Sequence, residues 1–486
     1  MMSFPPEHFV GTRVTVMGLG HFGGQISAVR FLVAQGAEVT VTDLAPEAKL
    51  KDAIARIADL PVQMHLGGHI EADFTDTDLV VVSPAVPKNS RYLKLAIQKN
   101  IPITSEMNLF LDRCRARVLG VTGTVGKSTT VAMIETILRE ALASRDKGLG
   151  FTNVWLGGNI GKSLLEDVAH IQETDLVILE LSSFQLEDIA GIEYSPEIAL
   201  VTNIFPNHLD RHDSLESYIE AKSNITRFQR SGDVLITNAN DANCRTIEQL
   251  MPGEVKLWHF ARAEAGMAVN SHQVTLTQNV DGWILSSSLN GQPERIIAAS
   301  EMAIPGEHNL QNAAAASAAA LAAGVSPARI GAALRRFKGL ADRLELVAEI
   351  EGTRWYNDSK STTPQSGIVA LRAFPSGTAI AIVGGYDKQL DLSDFARDLA
   401  RRAKLTVALG QTGPRIAAMV RQFGGDAAEA ASLEEAVSHS ARVAGPGDCV
   451  LLSPGCASWD MFENYQARGQ RFRELVSELN GSMAAS

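Results

Sequence analysis

The segment Gly120-Val-Thr-Gly-Thr-Val-Gly-Lys-Ser-Thr129 decides the fold of the middle of this chain. An apolar run from Arg117 to Val121 precedes it and predicts a buried strand, while apolar residues at helical spacing from Ser128 to Leu142 predict a helix. A glycine-rich turn from strand to helix directs several backbone N–H groups at one point, where the helix N-terminus adds its partial positive charge. The segment therefore predicts a site for the phosphates of ATP or GTP.

The residue types in this turn suit phosphate and magnesium. Lys127 can reach the outer phosphates, and the hydroxyl of Ser128 can bind the Mg²⁺ that they carry. The strict phosphate-loop pattern has a glycine at the position of Val121, so the spacing departs from it. The strand, the helix and the glycines together still favour nucleotide binding over an ordinary surface loop. The predicted contacts are Gly123, Thr124, Gly126, Lys127, Ser128 and Thr129.

The composition is that of a globular protein with several domains. The 486 residues are 45% hydrophobic and 20% charged, and the formal net charge is −11. Because nucleic-acid backbones require clustered Lys and Arg, this charge argues against nucleic acid as the main partner. The four scattered cysteines form no CxxC pair, so we expect reduced thiols. No membrane span or signal peptide is recognisable, so we expect no membrane insertion and a cytoplasmic location.

Three blocks of alternating strands and helices follow one another, which predicts the α/β fold class. Residues 1–114 have the pattern of a Rossmann-like domain, and residues 115–338 that of a central phosphate-loop domain. Between about 255 and 300 the pattern changes to short strands separated by Asp-Gly and Asn-Gly turns, which predicts a small antiparallel β insertion. Residues 339–486 predict a second Rossmann-like domain.

A second glycine-rich turn, Gly18-Leu-Gly-His-Phe-Gly23, follows the first predicted strand, and Asp43 ends the next strand. The glycines permit a tight turn and a close approach to a pyrophosphate, and the acid can bind a ribose hydroxyl. Taken alone, this pattern predicts an NAD site. A turn that binds another nucleotide diphosphate needs the same contacts and remains open.

Two further side chains follow strands of the central domain. Glu180 ends the apolar strand at 175–179, where a carboxylate can bind Mg²⁺, and His208 follows the strand that ends at Val201. We expect both to face the nucleotide. Lys222, by contrast, has the pattern of a solvated helix lysine.

Polar segments also occur later in the chain. Asn309 and Asn312 lie three residues apart at the start of an Ala-rich helix, where they either contact a purine edge or cap the helix. In the last block, polar segments at 357–362, 384–388 and 453–460 each follow a predicted strand. We expect these three segments to line one crevice at the carboxyl edge of a sheet.

Together these motifs resemble those of the Mur ligases from Gly18 to Arg473. The most specific segments are 122–129, 157–161, 180–187, 203–211, 305–309, 357–360 and 451–458. The resemblance implies an ATP-dependent ligase that adds D-glutamate to UDP-N-acetylmuramoyl-L-alanine through an acyl phosphate, for peptidoglycan synthesis, with two Mg²⁺ ions. A ligase that adds L-glutamate or another amino acid is the alternative within this class. An NAD-dependent oxidoreductase and an ATPase that forms no amide are alternatives from other classes. We expect a monomer.

The resemblance also implies roles for individual residues. The implied catalytic and metal-binding residues are Lys127, Ser128, Glu180, His208 and Lys222, the last as a carbamate formed with CO₂. The implied ATP contacts outside the turn are Asn309, Asn312, Arg343 and Asp358. The implied contacts to the UDP-sugar are Gly18, Gly20, His21, Phe22, Asp43, Ser83, Asn159, Ser182 and Gln185. The implied contacts to the amino acid are Lys360, Thr362, Lys388, Ser458 and Tyr465.

Overall fold

The computed structural model describes residues 9–20, 23–144, 148–207, 209–263, 272–280, 282–289 and 292–484. These residues form two compact units. The first unit comprises the described residues within Met1–Gln278, Leu285–Ile296 and Asn312–Ile330, and the second those within Asn279–Ile284, Ile297–Gln311 and Gly331–Ser486.

A five-stranded parallel sheet opens the first unit. Its elements are β1 (Arg13–Met17), α1 (Gly24–Ala34), β2 (Glu38–Asp43), α2 (Lys51–Ala55), β3 (Gln63–Leu66), β4 (Leu79–Val82), α3 (Arg91–Gln98), β5 (Ile103–Thr104) and α4 (Glu106–Leu111). The strand order is β3-β2-β1-β4-β5, and every pair is parallel. The central strands β1 and β4 are buried on both faces, as a parallel sheet covered by helices requires. The turn that begins at Gly18 therefore lies at the carboxyl edge of the sheet.

A nine-stranded sheet follows. Its elements are β6 (Arg117–Thr122), α5 (Lys127–Ala143), β7 (Val154–Gly158), β8 (Leu176–Glu180), α6 (Ser183–Ile189), β9 (Ile198–Val201), α7 (Leu209–His212), α8 (Leu215–Arg227), β10 (Val234–Asn238), α9 (Ala242–Glu248), β11 (Lys256–Arg262), β12 (His272–Asn279), β13 (Gly282–Leu289) and β14 (Gln292–Ala298). The order is β14-β13-β12-β11-β10-β9-β6-β8-β7. Because β6 is paired in parallel with both β8 and β9, the ends of these three strands lie side by side.

The predicted β insertion continues this sheet. Two-residue connections join β12 to β13 and β13 to β14, and neighbouring strands joined so closely are antiparallel. The strand before them, β11, pairs in parallel with both β10 and β12, so it belongs to the parallel part of the sheet. The turn residues Asp281, Asn290 and Gly291 lie outside the described residues.

The remaining elements are α10 (Glu307–Ala322), α11 (Pro327–Arg336), β15 (Glu345–Ile350), β16 (Thr353–Asn357), α12 (Pro364–Arg372), β17 (Ala379–Val383), α13 (Ser393–Arg402), β18 (Ala403–Ala408), α14 (Gly413–Gln422), β19 (Ala427–Glu429), α15 (Leu433–Val443), β20 (Cys449–Leu452) and α16 (Tyr465–Ala484). Six strands form a mixed sheet of order β15-β16-β20-β17-β18-β19, in which β15 is antiparallel to β16. The other pairs are parallel. Within the described ranges, every helix lacks the length or the apolar character that a bilayer crossing requires.

Candidate active site

The glycine-rich turn between β6 and α5 packs too closely on its neighbours for larger residues. The φ angles of Gly123 and Gly126 are 146° and 83°, which side chains other than glycine rarely allow. A Cβ atom on Gly123 would lie 2.0 Å from Oγ1 of Thr202, and one on Gly126 would lie 2.3 Å from Oδ1 of Asn312. Steric contacts on two sides thus define the shape of this turn.

Asn203, directly after β9, holds the tip of the turn. Its side-chain amide accepts a hydrogen bond from the Val125 N–H at 2.9 Å and donates one to the Val125 carbonyl at 3.0 Å. Its own carbonyl accepts from the Thr124 N–H at 2.9 Å. Val125 is 57% exposed, so these bonds fix a segment that burial alone would leave loose. Asn203 is absent from the predicted contacts, although its position just after a strand of the same sheet was a usable signal.

Two lysines converge on the base of the turn. The Nζ atom of Lys127 donates to the carbonyls of Gly123 and Thr124 at 2.9 and 3.0 Å. The Nζ atom of Lys222 donates to the same Gly123 carbonyl at 3.0 Å and to Oγ1 of Thr122 at 3.1 Å. The Lys127 ammonium at the N-terminus of α5 suits a polyphosphate.

Lys222 is almost wholly buried, with 1% of its surface exposed, so the prediction of a solvated lysine from the helix pattern is wrong. Helix α8 packs this face against the end of β6, which lies about a hundred residues earlier in the chain. Burial lowers the pKa of Lys222 well below its usual range, and the Lys127 ammonium lowers it further, while Glu180 acts in the opposite direction. A lowered pKa increases the share of neutral amine, which is the nucleophilic form.

Glu180 ends β8 beside the turn and is 2% exposed. Its Oε1 atom accepts a hydrogen bond from the side chain of Asn159 at 3.0 Å. Its Oε2 atom is buried and has no hydrogen-bond partner among the described residues. Leaving a carboxylate oxygen buried without a donor is costly, and a Mg²⁺ ion would satisfy it.

Three predicted site residues lie outside the described residues: His21, Phe22 and His208. Within the described part of the chain, no group of three or more His, Cys, Asp and Glu side chains is arranged to hold a metal. Among the predicted metal ligands, Glu180 supplies the carboxylate, and the structure gives the position of this side chain. Ser128 lies in the first turn of α5, next to Lys127.

The predicted UDP-sugar contacts in the central sheet are engaged in local hydrogen bonds. Asn159 binds the carboxylate of Glu180, and its N–H donates to the Glu180 carbonyl at 2.8 Å. Ser182 caps α6, since its hydroxyl accepts from the Gln185 N–H at 3.3 Å and its N–H donates to the Gln185 side chain at 3.0 Å. This reciprocal pair is a capping box. These residues orient Glu180 and α6, and their contact with a sugar stays a prediction.

The structure brings the predicted UDP contacts of the first sheet together. The Gly20 N–H donates to the Asp43 carboxylate at 3.2 Å, which also accepts from the Ala45 N–H at 2.8 Å. Gly18 has a φ angle of 85°, and a Cβ atom there would lie 3.1 Å from the Cβ atom of Ser83. The carboxyl ends of β1, β2 and β4 thus lie side by side, and the predicted contacts gather at this edge of the sheet.

Asn309 and Asn312 are both buried. The amide of Asn309 donates to the Pro305 carbonyl at 2.7 Å, four residues earlier, and so closes the turn that leads into α10. Asn312 accepts from the Thr130 hydroxyl at 3.4 Å, so it contacts α5 just after the glycine-rich turn. Because a helix cap accepts from a backbone N–H and this amide donates, the bond of Asn309 does not decide between the two alternatives, and capping and a purine contact both stay predictions.

In the second unit, the three polar segments meet at the carboxyl edge of the six-stranded sheet. The Tyr386 N–H donates to the Ala457 carbonyl at 2.8 Å, and the Gly455 N–H donates to the Ser361 carbonyl at 2.9 Å. A small cavity lies between these segments, and its lining includes Thr362, Lys388, Thr412 and Cys456. The geometry supports the expectation of a shared crevice.

The other predicted residues of the second unit differ in burial. Asp358 is 3% exposed and accepts hydrogen bonds from the hydroxyls of Ser361 and Ser453. Burial raises the pKa of Asp358 to about 6. This carboxylate therefore fastens the segment after β16 to the segment after β20, and its contact with ATP, like that of Arg343, stays a prediction.

The remaining predicted amino-acid contacts lie near the same edge. The ammonium of Lys360 lies 5.7 Å from the centre of the Tyr465 ring at the start of α16. Ser458 is buried, whereas Lys388 lies over the ring of Trp459 at 4.6 Å.

Three family models match the chain. The Mur ligase MurD-like N-terminal domain matches residues 12–105, the Mur ligase middle domain matches residues 121–320, and the Mur ligase glutamate ligase domain matches residues 342–456.

Curated relatives match over almost their whole length. The UDP-N-acetylmuramoylalanine–D-glutamate ligase of Roseiflexus sp. strain RS-1 is 40% identical, over 96% of this chain and 99% of that protein. The ligase of the same name from Pelotomaculum thermopropionicum is 38% identical, over 97% and 99%.

Solved structures share the fold at lower identity. The UDP-N-acetylmuramate-alanine ligase MurC of Thermotoga maritima gives a TM-score of 0.56 at 20% identity, over 96% of this chain and 99% of that one. MurF of Acinetobacter baumannii gives a TM-score of 0.57 at 17% identity, over 95% and 93%. Family models along most of the chain, curated relatives and a shared three-domain α/β fold lead to one conclusion: this chain belongs to the Mur ligase family, whose members are ATP-dependent ligases.

Proposed function

We propose that this chain joins D-glutamate to UDP-N-acetylmuramoyl-L-alanine at the expense of ATP, in the synthesis of peptidoglycan precursors. The observation that carries the proposal is the glycine-rich turn with two lysines at its base and a buried, half-satisfied carboxylate beside it. The relatives at 38–40% identity, which carry the name of this reaction, support the choice of substrates. An NAD-dependent oxidoreductase would give the two lysines and the buried carboxylate no role in the reaction.

The chemistry needs an activated acid, because a carboxylate has no good leaving group. A carboxylate oxygen of the acceptor attacks the γ-phosphorus of ATP, and ADP leaves. The amino nitrogen of glutamate then attacks the acyl carbon, loses a proton and displaces phosphate, which forms the amide. Lys127 and the N–H groups of the turn would stabilise the charge on the transferred phosphoryl group. Exclusion of water would protect the acyl phosphate from hydrolysis.

Magnesium fits the residues beside the turn. Ser128, Glu180 and His208 are the proposed ligands, and the unpartnered Oε2 atom of Glu180 is the observation in favour. When bound, Mg²⁺ would neutralise phosphate charge. We also propose that the buried amine of Lys222 takes up CO₂ as a carbamate, which its low pKa favours, and so provides a further anionic ligand.

The other assignments are part of the same proposal. The turn that begins at Gly18 would hold the diphosphate of the UDP-sugar, and the crevice around Lys388 would hold glutamate. Domain boundaries after residues 114 and 338 are proposed from the sequence. A monomeric state, a second Mg²⁺ ion and a cytoplasmic location stay predictions.

One assay tests the proposal. Phosphate release is measured with ATP and UDP-N-acetylmuramoyl-L-alanine while D-glutamate, L-glutamate and other amino acids are supplied in turn. We expect release with D-glutamate and formation of the corresponding amide by mass spectrometry. Phosphate release without any amino acid would indicate a simple ATPase. Phosphate release with L-glutamate but not with D-glutamate would show that the enzyme uses the L enantiomer.

A further inference from the structure

Lys388 is a cation held by an aromatic ring alone. Its ammonium lies 4.6 Å from the centre of the Trp459 ring. Among the described residues it has no carboxylate partner and no hydrogen-bond acceptor. The acid nearest in sequence, Asp387, is paired with Arg415 at 3.1 Å. The charge of the Lys388 ammonium can therefore pair with the carboxylate of a bound ligand.

Trp459 is placed unusually for a tryptophan. It is 61% exposed, whereas a ring of this size is normally largely buried. Tyr386, itself 37% exposed, supports it with ring centres 5.6 Å apart. The backbone bond from Tyr386 to Ala457 ties the two aromatic residues to neighbouring loops. The pair thus forms a fixed wall beside the cavity that Lys388 lines.

We propose that Trp459 is a positioning residue, whose ring face holds the Lys388 ammonium where it meets the side-chain carboxylate of the incoming amino acid. This inference rests on the proposed function and adds a specificity element to it. A flexible lysine in water samples many rotamers, and a cation–π contact restricts them without neutralising the charge. The wall would thereby favour a dicarboxylic amino acid over a neutral one.

The kinetic test compares Trp459→Leu, which removes the aromatic face, with Trp459→Phe, which keeps one. An exposed cation–π contact corresponds to about a two- to fivefold change in an equilibrium constant. We expect Trp459→Leu to raise the KM for glutamate by that factor and Trp459→Phe by less, with kcat and the KM for ATP unchanged. Added to Lys388→Met, Trp459→Leu should have no further effect. An equal effect in both backgrounds, an unchanged KM for glutamate, or a rise in every KM would overturn the proposal.

A second measurement does not depend on turnover. Lysines are dimethylated with ¹³C, and the Lys388 signal is assigned by its loss in Lys388→Met. We expect a ring-current shift that disappears in Trp459→Leu, and a change in this signal when glutamate is added. A Lys388 signal without a ring-current shift, or one that glutamate leaves unchanged, would overturn the positioning role. If the shift and the response to glutamate are present but no amide forms, the proposed reaction fails instead. Because Trp459 is mostly exposed, both variants should keep the melting temperature of the parent.

Discussion

Replacement of Asn203 by alanine should weaken the use of ATP without unfolding the protein. Its side chain makes two hydrogen bonds to the backbone of Val125, at 2.9 and 3.0 Å, and these hold the tip of the phosphate-binding turn. Each such bond contributes about 0.5–1.5 kcal/mol, and the low end applies here because the tip is exposed. A total of about 1–2 kcal/mol would be lost from the ordered turn.

The expected readout is kcat/KM for ATP at saturating acceptor and glutamate. A loss of about 1–2 kcal/mol corresponds to a decrease of roughly five- to thirtyfold. The KM for glutamate should not change, because the crevice around Lys388 is built from other segments.

Asn240 provides a matched control. Its side chain binds the backbone of Arg262 in the same manner, with bonds of 2.7 and 3.1 Å, at another exposed strand end of the same sheet. Asn240→Ala should therefore lose a similar amount of local stability while keeping its kcat/KM for ATP. Equal losses of activity in both variants would indicate general destabilisation. An Asn203→Ala enzyme within twofold of the parent would refute the role of this asparagine.

Three further predictions concern buried or charged groups. Lys127→Ala should lower turnover about a thousandfold with an unchanged melting temperature, because the phosphoryl charge loses its cation; an activity assay beside thermal unfolding checks this. Lys222→Ala should lose most activity and regain part of it with added short carboxylic acids, which can replace a carbamate; restored phosphate release is the readout, and an unimpaired variant would exclude the role. Asp358→Asn should remove a pH dependence of stability. The folded pKa of Asp358, about 6, lies above its ordinary value of 3.8, so this group stabilises the fold at low pH and loses that contribution as pH rises through 6. Between pH 4 and 7 the parent should lose about 2 kcal/mol relative to the variant in urea unfolding, and parallel curves would contradict the assignment.

Local sequence predicted the strands that apolar runs define. The strand predicted to end at Val201 is β9, and the strand predicted to begin at Arg117 ends one residue later than expected, at Thr122. Strand β15 is absent from the predicted strands, since it is an edge strand with mostly half-buried residues and lacks a continuous apolar run. β15 is a strand because its backbone pairs with that of β16, whereas the composition of β15 does not predict a strand.

The candidate site was predictable where function is local in sequence and not where it depends on packing. The glycine-rich turn contains its own signal, because strand, glycines, lysine and helix are contiguous. The burial of Lys222 was invisible, since helical periodicity does not tell which face meets a strand that lies about a hundred residues away. Asn203 is a different case, because its position just after β9 is a local signal, although its partner Val125 belongs to a different segment.

The position of β6 inside the nine-stranded sheet has a consequence for how the enzyme would lose its nucleotide-binding site. The strand is bonded on both sides, by β8 and by β9, and it leads directly into an exposed bend. Amides at the strand end should exchange with deuterium only when the sheet opens, whereas those of Thr124 and Val125, which are bonded to Asn203, should exchange through local opening of the turn. A nucleotide would thus bind at the boundary between a segment that opens with the whole sheet and one that opens locally. Nucleotide affinity should accordingly fall under mild denaturation before the sheet itself unfolds.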